Sequence, residues 1–281
     1  MSAPPARAAL GLFVVAAYGL IGASLFGVAV PLSLLVATLL GVTTFVTVGV
    51  FFLNLGVFVD VTSRGSTRRS VVALTFDDGP HPVHTRQVLA TLAERGHKAT
   101  FFVVGEKVAA HPDVAREIAE AGHELGLHGY DHDRLLNLRH EPRIIRDLDK
   151  TADAIATACG QRPRLFRPPV GFTSPRTRVA VRARDLEVVG WTARGFDGAG
   201  RPSVAALVER LTRSLSPGAI LLLHDAPERG EVAPTSVEAL PSLLAELETR
   251  GFSSVTVTEL LHSAAAPLAP KSERPAESAI C

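Results

Sequence analysis

Val71-Val-Ala-Leu-Thr-Phe76 runs directly into Asp77-Asp78-Gly79-Pro80. The first six residues are apolar, β-branched or aromatic, with a single threonine. They read as a short apolar strand. Gly-Pro ends it, and two adjacent carboxylates stand at its carboxyl end. In parallel α/β folds, that end of a strand is where functional groups collect.

The same grammar repeats outward from this point. Strand candidates are Val71–Phe76, Ala99–Val104, Glu124–Leu127, Arg164–Arg167, Glu187–Trp191, Ile220–Leu223 and Ser254–Val257. Helical patterns lie near 84–94, 113–121, 142–158, 175–184, 203–214 and 236–249, with Gly96, Gly122, Gly160, Gly218 and Gly251 as punctuation. Strands alternating with helices imply parallel pairing through helical crossovers. The fold class is therefore α/β, and about 190 residues suffice for a closed or nearly closed barrel, with a doubly wound open sheet as the competing layout.

Upstream, no Asp, Glu, Lys, Arg or His occurs from Ala8 to Val59. A secretory signal has an apolar core of only about 7–15 residues. A spanning helix needs roughly 20, so the run holds two, turning near Pro31 and Ser33. The expected organisation is a membrane region over 1–59, a polar linker over 60–70, a catalytic domain over 71–262 and an Ala/Pro/Ser-rich disordered tail over 263–281. Arg7 precedes the run, and Arg64, Arg68 and Arg69 follow it. A two-helix hairpin puts both basic flanks on one side, which the positive-inside rule makes cytoplasmic; a single span would place the domain outside. The 29 basic and 28 acidic residues leave a net charge of +1, which creates no global field for nucleic acid. Cys159 and Cys281 imply no disulfide framework.

Five polar clusters fall at or just past predicted strand ends. The first is Thr75-Phe-Asp77-Asp78-Gly-Pro80, whose repelling carboxylates call for a compensating cation. The second is His128-Gly-Tyr-Asp-His132, with two imidazoles four apart, as on one face of a helical turn. His128, His132 and one carboxylate would make a three-ligand metal site with an open position, the pattern of a catalytic ion. The third, Phe166-Arg167-Pro-Pro-Val170-Gly171, is a rigid turn in which Val170 carries the first N–H after two prolines. Its Arg167 is shaped to hold a carboxylate. The fourth is Trp191-Thr-Ala-Arg-Gly-Phe-Asp197-Gly198, and the fifth Leu221-Leu222-Leu-His224-Asp225, with an imidazole placed for acid–base work.

In this order and at these separations the five clusters resemble the polysaccharide deacetylase family, whose domain is also called the NodB homology domain (carbohydrate esterase family 4). The likeness covers roughly residues 70–260. It implies a distorted (β/α)7 barrel, in agreement with the strand count. It also implies Asp77 as catalytic base, Asp78 with His128 and His132 as metal ligands, and Arg167 as the residue that orients the base. The Val170 N–H matches an oxyanion donor, Leu222 an acetyl-pocket residue, His224 the general acid and Asp197 the residue that tunes it. Trp191 matches an aromatic at the same strand end. The family often has Trp straight after the tuning aspartate, where this chain has Gly198, and an aromatic at the position of Val170; part of the sugar-binding wall therefore departs from the pattern.

The resemblance implies hydrolysis of N-acetyl groups on an amino-sugar polymer or glycoconjugate: peptidoglycan, a chitin-like oligosaccharide or a lipid-linked glycan. One divalent ion would serve, zinc first, with cobalt, nickel or manganese also suited to nitrogen and oxygen ligands. The expected partners are the N-acetylated glycan and membrane lipid, with no nucleic acid. Rival readings are an amidohydrolase acting on a non-sugar amide, a non-catalytic glycan-binding module, and a membrane scaffold.

Overall fold

A computed structural model describes residues 5–198 and 200–262. The expected tail over 263–281 lies outside them. The chain begins with two long helices, α1 (Pro5–Leu25) and α2 (Leu32–Phe51), broken between Phe26 and Pro31. α1 buries no residue and α2 only Gly49, and both are long and apolar enough to cross a membrane by length and composition. α1 and α2 fold back on each other, so the first turn of α1 returns to the end of α2. There Arg7 donates to the carbonyls of Val57 (3.1 Å) and Gly56 (3.1 Å) and pairs with Asp60 at 3.0 Å.

The remainder is a curled parallel sheet wrapped by helices. Its elements in order are β1 (Val61–Thr62), β2 (Val71–Asp77), α3 (His84–Glu94), β3 (Ala99–Val103), α4 (Gly105–Ala110), α5 (Pro112–Glu120), β4 (Glu124–Leu127), α6 (Glu141–Cys159), β5 (Leu165–Phe166), α7 (Pro175–Ala183), β6 (Glu187–Val189), β7 (Ala193–Arg194), α8 (Val204–Thr212), β8 (Ile220–His224), α9 (Thr235–Thr249), β9 (Ser253–Val255) and α10 (Val257–His262). The strand order is β1-β6-β5-β4-β3-β2-β8-β7, with β9 paired to the start of β2. β6 pairs with β5, and β7, four residues further on, pairs with β8. One stretch of chain, Glu187–Arg194, thus passes from one end of the strand series to the other and rolls the sheet into a distorted barrel.

All seven residues of β2 are buried, as a central parallel strand requires. Phe76 and Phe101 stack at 5.1 Å between centroids in the layer beneath the helices. α6 contributes Ile144, Leu148 and Ile155, spaced to fall on one helical face, and all three are buried.

Several expectations change in detail. The stretch 60–70, read as a linker, is partly built into the sheet: β1 pairs with β6, and Arg64 bridges Ala219 beside β8. It fills the seam where Glu187–Arg194 crosses over. The strand expected to reach Val257 stops at Val255. Thr256 Oγ1 accepts from the Glu259 N–H and Glu259 Oε2 from the Thr256 N–H, a capping box that starts a helix there. The strand expected to reach Trp191 stops at Val189, because the chain changes partner strand at that point.

Candidate active site

The base of the pocket is a matter of register. β2 and β8 pair so that Asp77 stands opposite His224, and both project from the carboxyl ends of central strands. β3 and β4 flank β2 on the other side, and the loop after β4 carries His128 and His132. That loop is not the helical turn the four-residue spacing suggested. Gly129 has φ +83° and His132 φ +51°, both in the left-handed region. Two neighbours pin it instead. The N–H groups of Gly105 and Glu106, at the start of α4, donate to the carbonyls of Gly129 (3.0 Å) and Tyr130 (2.8 Å). The Tyr130 N–H donates to Asp147 of α6 at 3.0 Å. Burial raises that carboxyl to about 6, the Tyr130 N–H opposing.

The loop brings both imidazoles onto one oxygen. Asp78 Oδ1 lies 3.4 Å from His128 Nε2 and 3.2 Å from His132 Nε2, and the three ligand atoms all fall within 4.8 Å of one another. Neighbouring ligands on a tetrahedral ion with bonds of about 2.0–2.1 Å stand about 3.3 Å apart, so the trio fits a single such cation. Asp78 Oδ1 is buried with no hydrogen-bond partner, an orphan that a bound cation would satisfy. Burial works against ionisation of Asp78, but the close His128 imidazole, with the charges of His224 and His132, outweighs it and holds the carboxyl well below the usual carboxylate range. His128 Nδ1 donates to the Arg167 carbonyl at 2.8 Å, which leaves Nε2 free as a ligand atom. His132 Nδ1 faces Glu228 at 3.5 Å.

Arg167 is fully buried beneath this trio. Its Nη1 donates to Asp77 Oδ1 at 2.7 Å and to Thr75 Oγ1 at 2.8 Å. Nε and Nη2 donate to the carbonyls of Val189 (3.2 Å) and Gly190 (2.9 Å), and the guanidinium lies 4.2 Å from the centroid of the Phe102 ring. These contacts fix one oxygen of Asp77 and leave Oδ2 toward the candidate ligand trio, 3.8 Å from His128 Nε2.

Opposite, His224 Nδ1 lies 3.0 Å from Asp197 Oδ1. Asp197 Oδ2 accepts from the His224 N–H and from Ser236. Although burial disfavours its charge, the Asp197 hydrogen bond and the charges of Asp197, Asp78 and Asp77 push the imidazole up to about 9. His224 is then protonated at neutral pH, the state a general acid needs.

Of the ten residues singled out in the sequence, eight line one pocket: Asp77, Asp78, His128, His132, Val170, Trp191, Leu222 and His224. Arg167 and Asp197 stand behind it as supports. Val170 has φ +52°, a strained setting for a β-branched residue, and its N–H makes none of the hydrogen bonds found among the described residues. Sequence reasoning missed Arg134, Arg194, Phe196 and Glu228, which also line the pocket. It also missed Lys107, whose ammonium donates to the carbonyls of Asp78 (2.7 Å) and Pro227 (2.8 Å) and ties two of the site loops together. None stands beside a strand in a recognisable cluster, except Arg194 and Phe196 within the fourth. The Gly198 departure has a local cause: a Cβ there would sit 2.5 Å from His224 Nε2.

A family model described as polysaccharide deacetylase matches residues 64–189. A chitooligosaccharide deacetylase of Bradyrhizobium is 38% identical over 191 residues, covering 64% of this chain and 86% of that one. The chain belongs to the polysaccharide deacetylase family. The relatives are named as deacetylases, and the enzyme class read from the clusters, a hydrolase of linear amides, agrees with them. Among deacetylases of greater length the chain spans a smaller part, 39% of one peptidoglycan-acting relative. Among solved structures, a family 4 acetyl xylan esterase from Clostridium thermocellum in complex with a cobalt ion is 33% identical, with a TM-score of 0.64 over 73% of this chain and 96% of that one. A family 4 pseudoenzyme from Bacillus anthracis is 28% identical, with a TM-score of 0.66 over 73% and 69%. The deacetylase fold is thus compatible with both activity and its loss, and the side chains in the pocket must decide.

Proposed function

We propose that this deacetylase hydrolyses N-acetyl groups of amino-sugar glycans or glycoconjugates with one divalent ion held by Asp78, His128 and His132. The reading is carried by one observation: the three ligand candidates converge in the same pocket as Asp77 and His224, with no residue of the set replaced by an inert one. A pure glycan-binding module needs neither a base nor an acid.

An amide carbonyl is a poor electrophile and water a poor nucleophile. The ion, zinc first by its ligand set and cobalt, nickel or manganese as alternatives, supplies a lowered pKa for water and polarisation of the carbonyl. Asp77 Oδ2 takes the proton of the attacking water while Arg167 holds Oδ1 still. The Val170 N–H donates to the oxygen that gains charge, and Leu222 lines the space for the acetyl methyl. His224, through Nε2, gives its proton to the departing amine nitrogen, and Asp197 keeps the ring in the orientation that exposes that nitrogen. The products are acetate and a free amine.

The test is acetate release from chito-oligosaccharides, muropeptides and lipid-linked glycans with zinc, cobalt, nickel or manganese added. Release that a chelator abolishes supports the proposal. No release from any N-acetylated glycan, with release from a simple non-sugar amide, would favour the rival amidohydrolase.

The helical pair is read as a membrane hairpin with the catalytic domain on the cytoplasmic side. Support comes from Arg7, which meets Asp60 and so sets both ends of the hairpin on one face. In intact cells a membrane-impermeant thiol reagent should leave Cys281 unlabelled in a Cys159→Ser background, and labelling would reverse the assignment.

A further inference from the structure

The foot of the hairpin is packed onto the wall of the pocket, not onto the far side of the barrel. Thr173 N–H donates to the Val50 carbonyl at 3.4 Å, and the Phe51 and Phe172 rings meet edge to face at 4.7 Å. Asn54 Nδ2 donates to the Trp191 carbonyl at 2.7 Å, and Leu53 is buried against Gly171. Gly171 and Trp191 both line the pocket. Around this foot the surface is apolar: Phe52, Leu55, Leu138 and Val170 are exposed. A helical pair that ends in a bilayer therefore brings the mouth of the pocket to the level of the lipid headgroups.

At that mouth Arg194 is set without an acidic partner among the described residues. Its guanidinium lies 4.0 Å from the centroid of the Phe196 ring and 5.9 Å from that of Trp191. Arg134, the other pocket arginine, is already paired with Glu228. A planar cation propped on two aromatic rings, facing a cavity and lacking a counter-ion, is built to receive a planar or tetrahedral anion. An anion that arrives along the membrane surface would meet it first.

We infer that the substrate is an N-acetylated amino sugar carried on a phosphate that is itself anchored in the bilayer, with Arg194 binding the phosphate. This rests on the deacetylase reading of the same pocket and narrows its substrate class.

The experiment uses the full chain in lipid vesicles and three probes: polyprenyl-phosphate-linked N-acetylglucosamine, soluble N-acetylglucosamine 1-phosphate and a neutral alkyl N-acetylglucosaminide. The anchored phosphosugar should have the highest kcat/KM for acetate release. Arg194→Ala should cut its advantage over the neutral glycoside about tenfold, the worth of one charge-assisted contact. Equal turnover of charged and neutral probes, an equal loss on both in the variant, or a soluble phosphosugar as good as the anchored one would overturn the inference while leaving the deacetylase reading intact. Binding of the same probes to the Asp77→Asn variant separates the two in the other direction. Arg194-dependent binding without turnover in the parent would sink the catalytic reading alone, and absence of both would sink both. Trp191 is the single tryptophan of the chain, so its fluorescence reports on depth. Headgroup-level spin-labelled lipid should quench it, and no quenching would remove the pocket from the membrane surface.

Discussion

His224 Nδ1 lies 3.0 Å from Asp197 Oδ1, so the imidazole is oriented by a carboxylate and turns its other nitrogen to the pocket. The pairing determines both where the acid's proton points and how tightly it is held.

Asp197→Asn should therefore move the alkaline limb of the kcat/KM profile downward. His224 is pushed up to about 9 from an ordinary value of 6.5, against the effect of burial, chiefly by Asp197. In the proposed mechanism the protonated form is the active acid, so activity should fall as pH rises through this value. Without the carboxylate the fall should begin nearer the ordinary value. The same sign holds for stability: the ion pair contributes fully below 6.5 and its contribution is lost as pH rises through about 9. A pH–rate profile of parent and variant checks the first point, and an unmoved limb would release Asp197 from its role.

Gly198→Ala should lower kcat with metal content unchanged. The new methyl would lie 2.5 Å from His224 Nε2, so the ring must move off its aim. A displacement of about 1 Å in a reacting group can cost on the order of a hundredfold in rate. Metal analysis alongside single-turnover kinetics separates this from loss of the ion. A larger residue at 198 should be no better.

Removing the ion and removing the base should part company. Dialysis against a chelator, or His128→Ala, should abolish turnover and metal content together. Asp77→Asn should keep the metal and lose about 10²–10⁴-fold in kcat, the usual worth of a positioned base. Full activity in Asp77→Asn would reject the base assignment. Full metal content in His128→Ala would reject the ligand set.

Arg167→Ala should destabilise the domain as well as inactivate it. Arg167 is completely buried and its loss strands Asp77 and two strand-end carbonyls without a donor. Breaking a buried pair from one side costs about 3–5 kcal/mol. Urea unfolding should show the midpoint falling, with Arg167→Lys intermediate because one ammonium cannot reach all four acceptors.

What could be read from the sequence, and what could not, follows from range. Strands such as Val71–Asp77 and Ile220–His224 are buried on both faces and announce themselves as apolar runs, and the charged residues that stop them mark the site. Val61–Thr62 and Ala193–Arg194 are two residues each, too short to carry a period, and exist as strands only because β6 and β8 offer them partners. The His128–His132 spacing suggested a helical turn because it counts residues and not carbonyls: the donors of α4 and the buried Asp147 hold a different loop. Glu228 gave no local signal, since its neighbours in space, His132 and Arg134, come from another loop; Arg194 lay inside the fourth cluster, but nothing in its spacing set it apart there. The capping box at Thr256 and Glu259 was legible as Thr-x-x-Glu, and the strand reading overran it.

The alignment of Asp77 with His224 across β2 and β8 is a property of backbone hydrogen bonding rather than of the side chains themselves. Inserting or deleting a single residue inside either strand would turn its terminal polar group to the opposite face, whereas the loops beyond can lengthen freely. Length changes that reshape the pocket are thereby confined to the rim, and the facing of Asp77 and His224 is built into the scaffold.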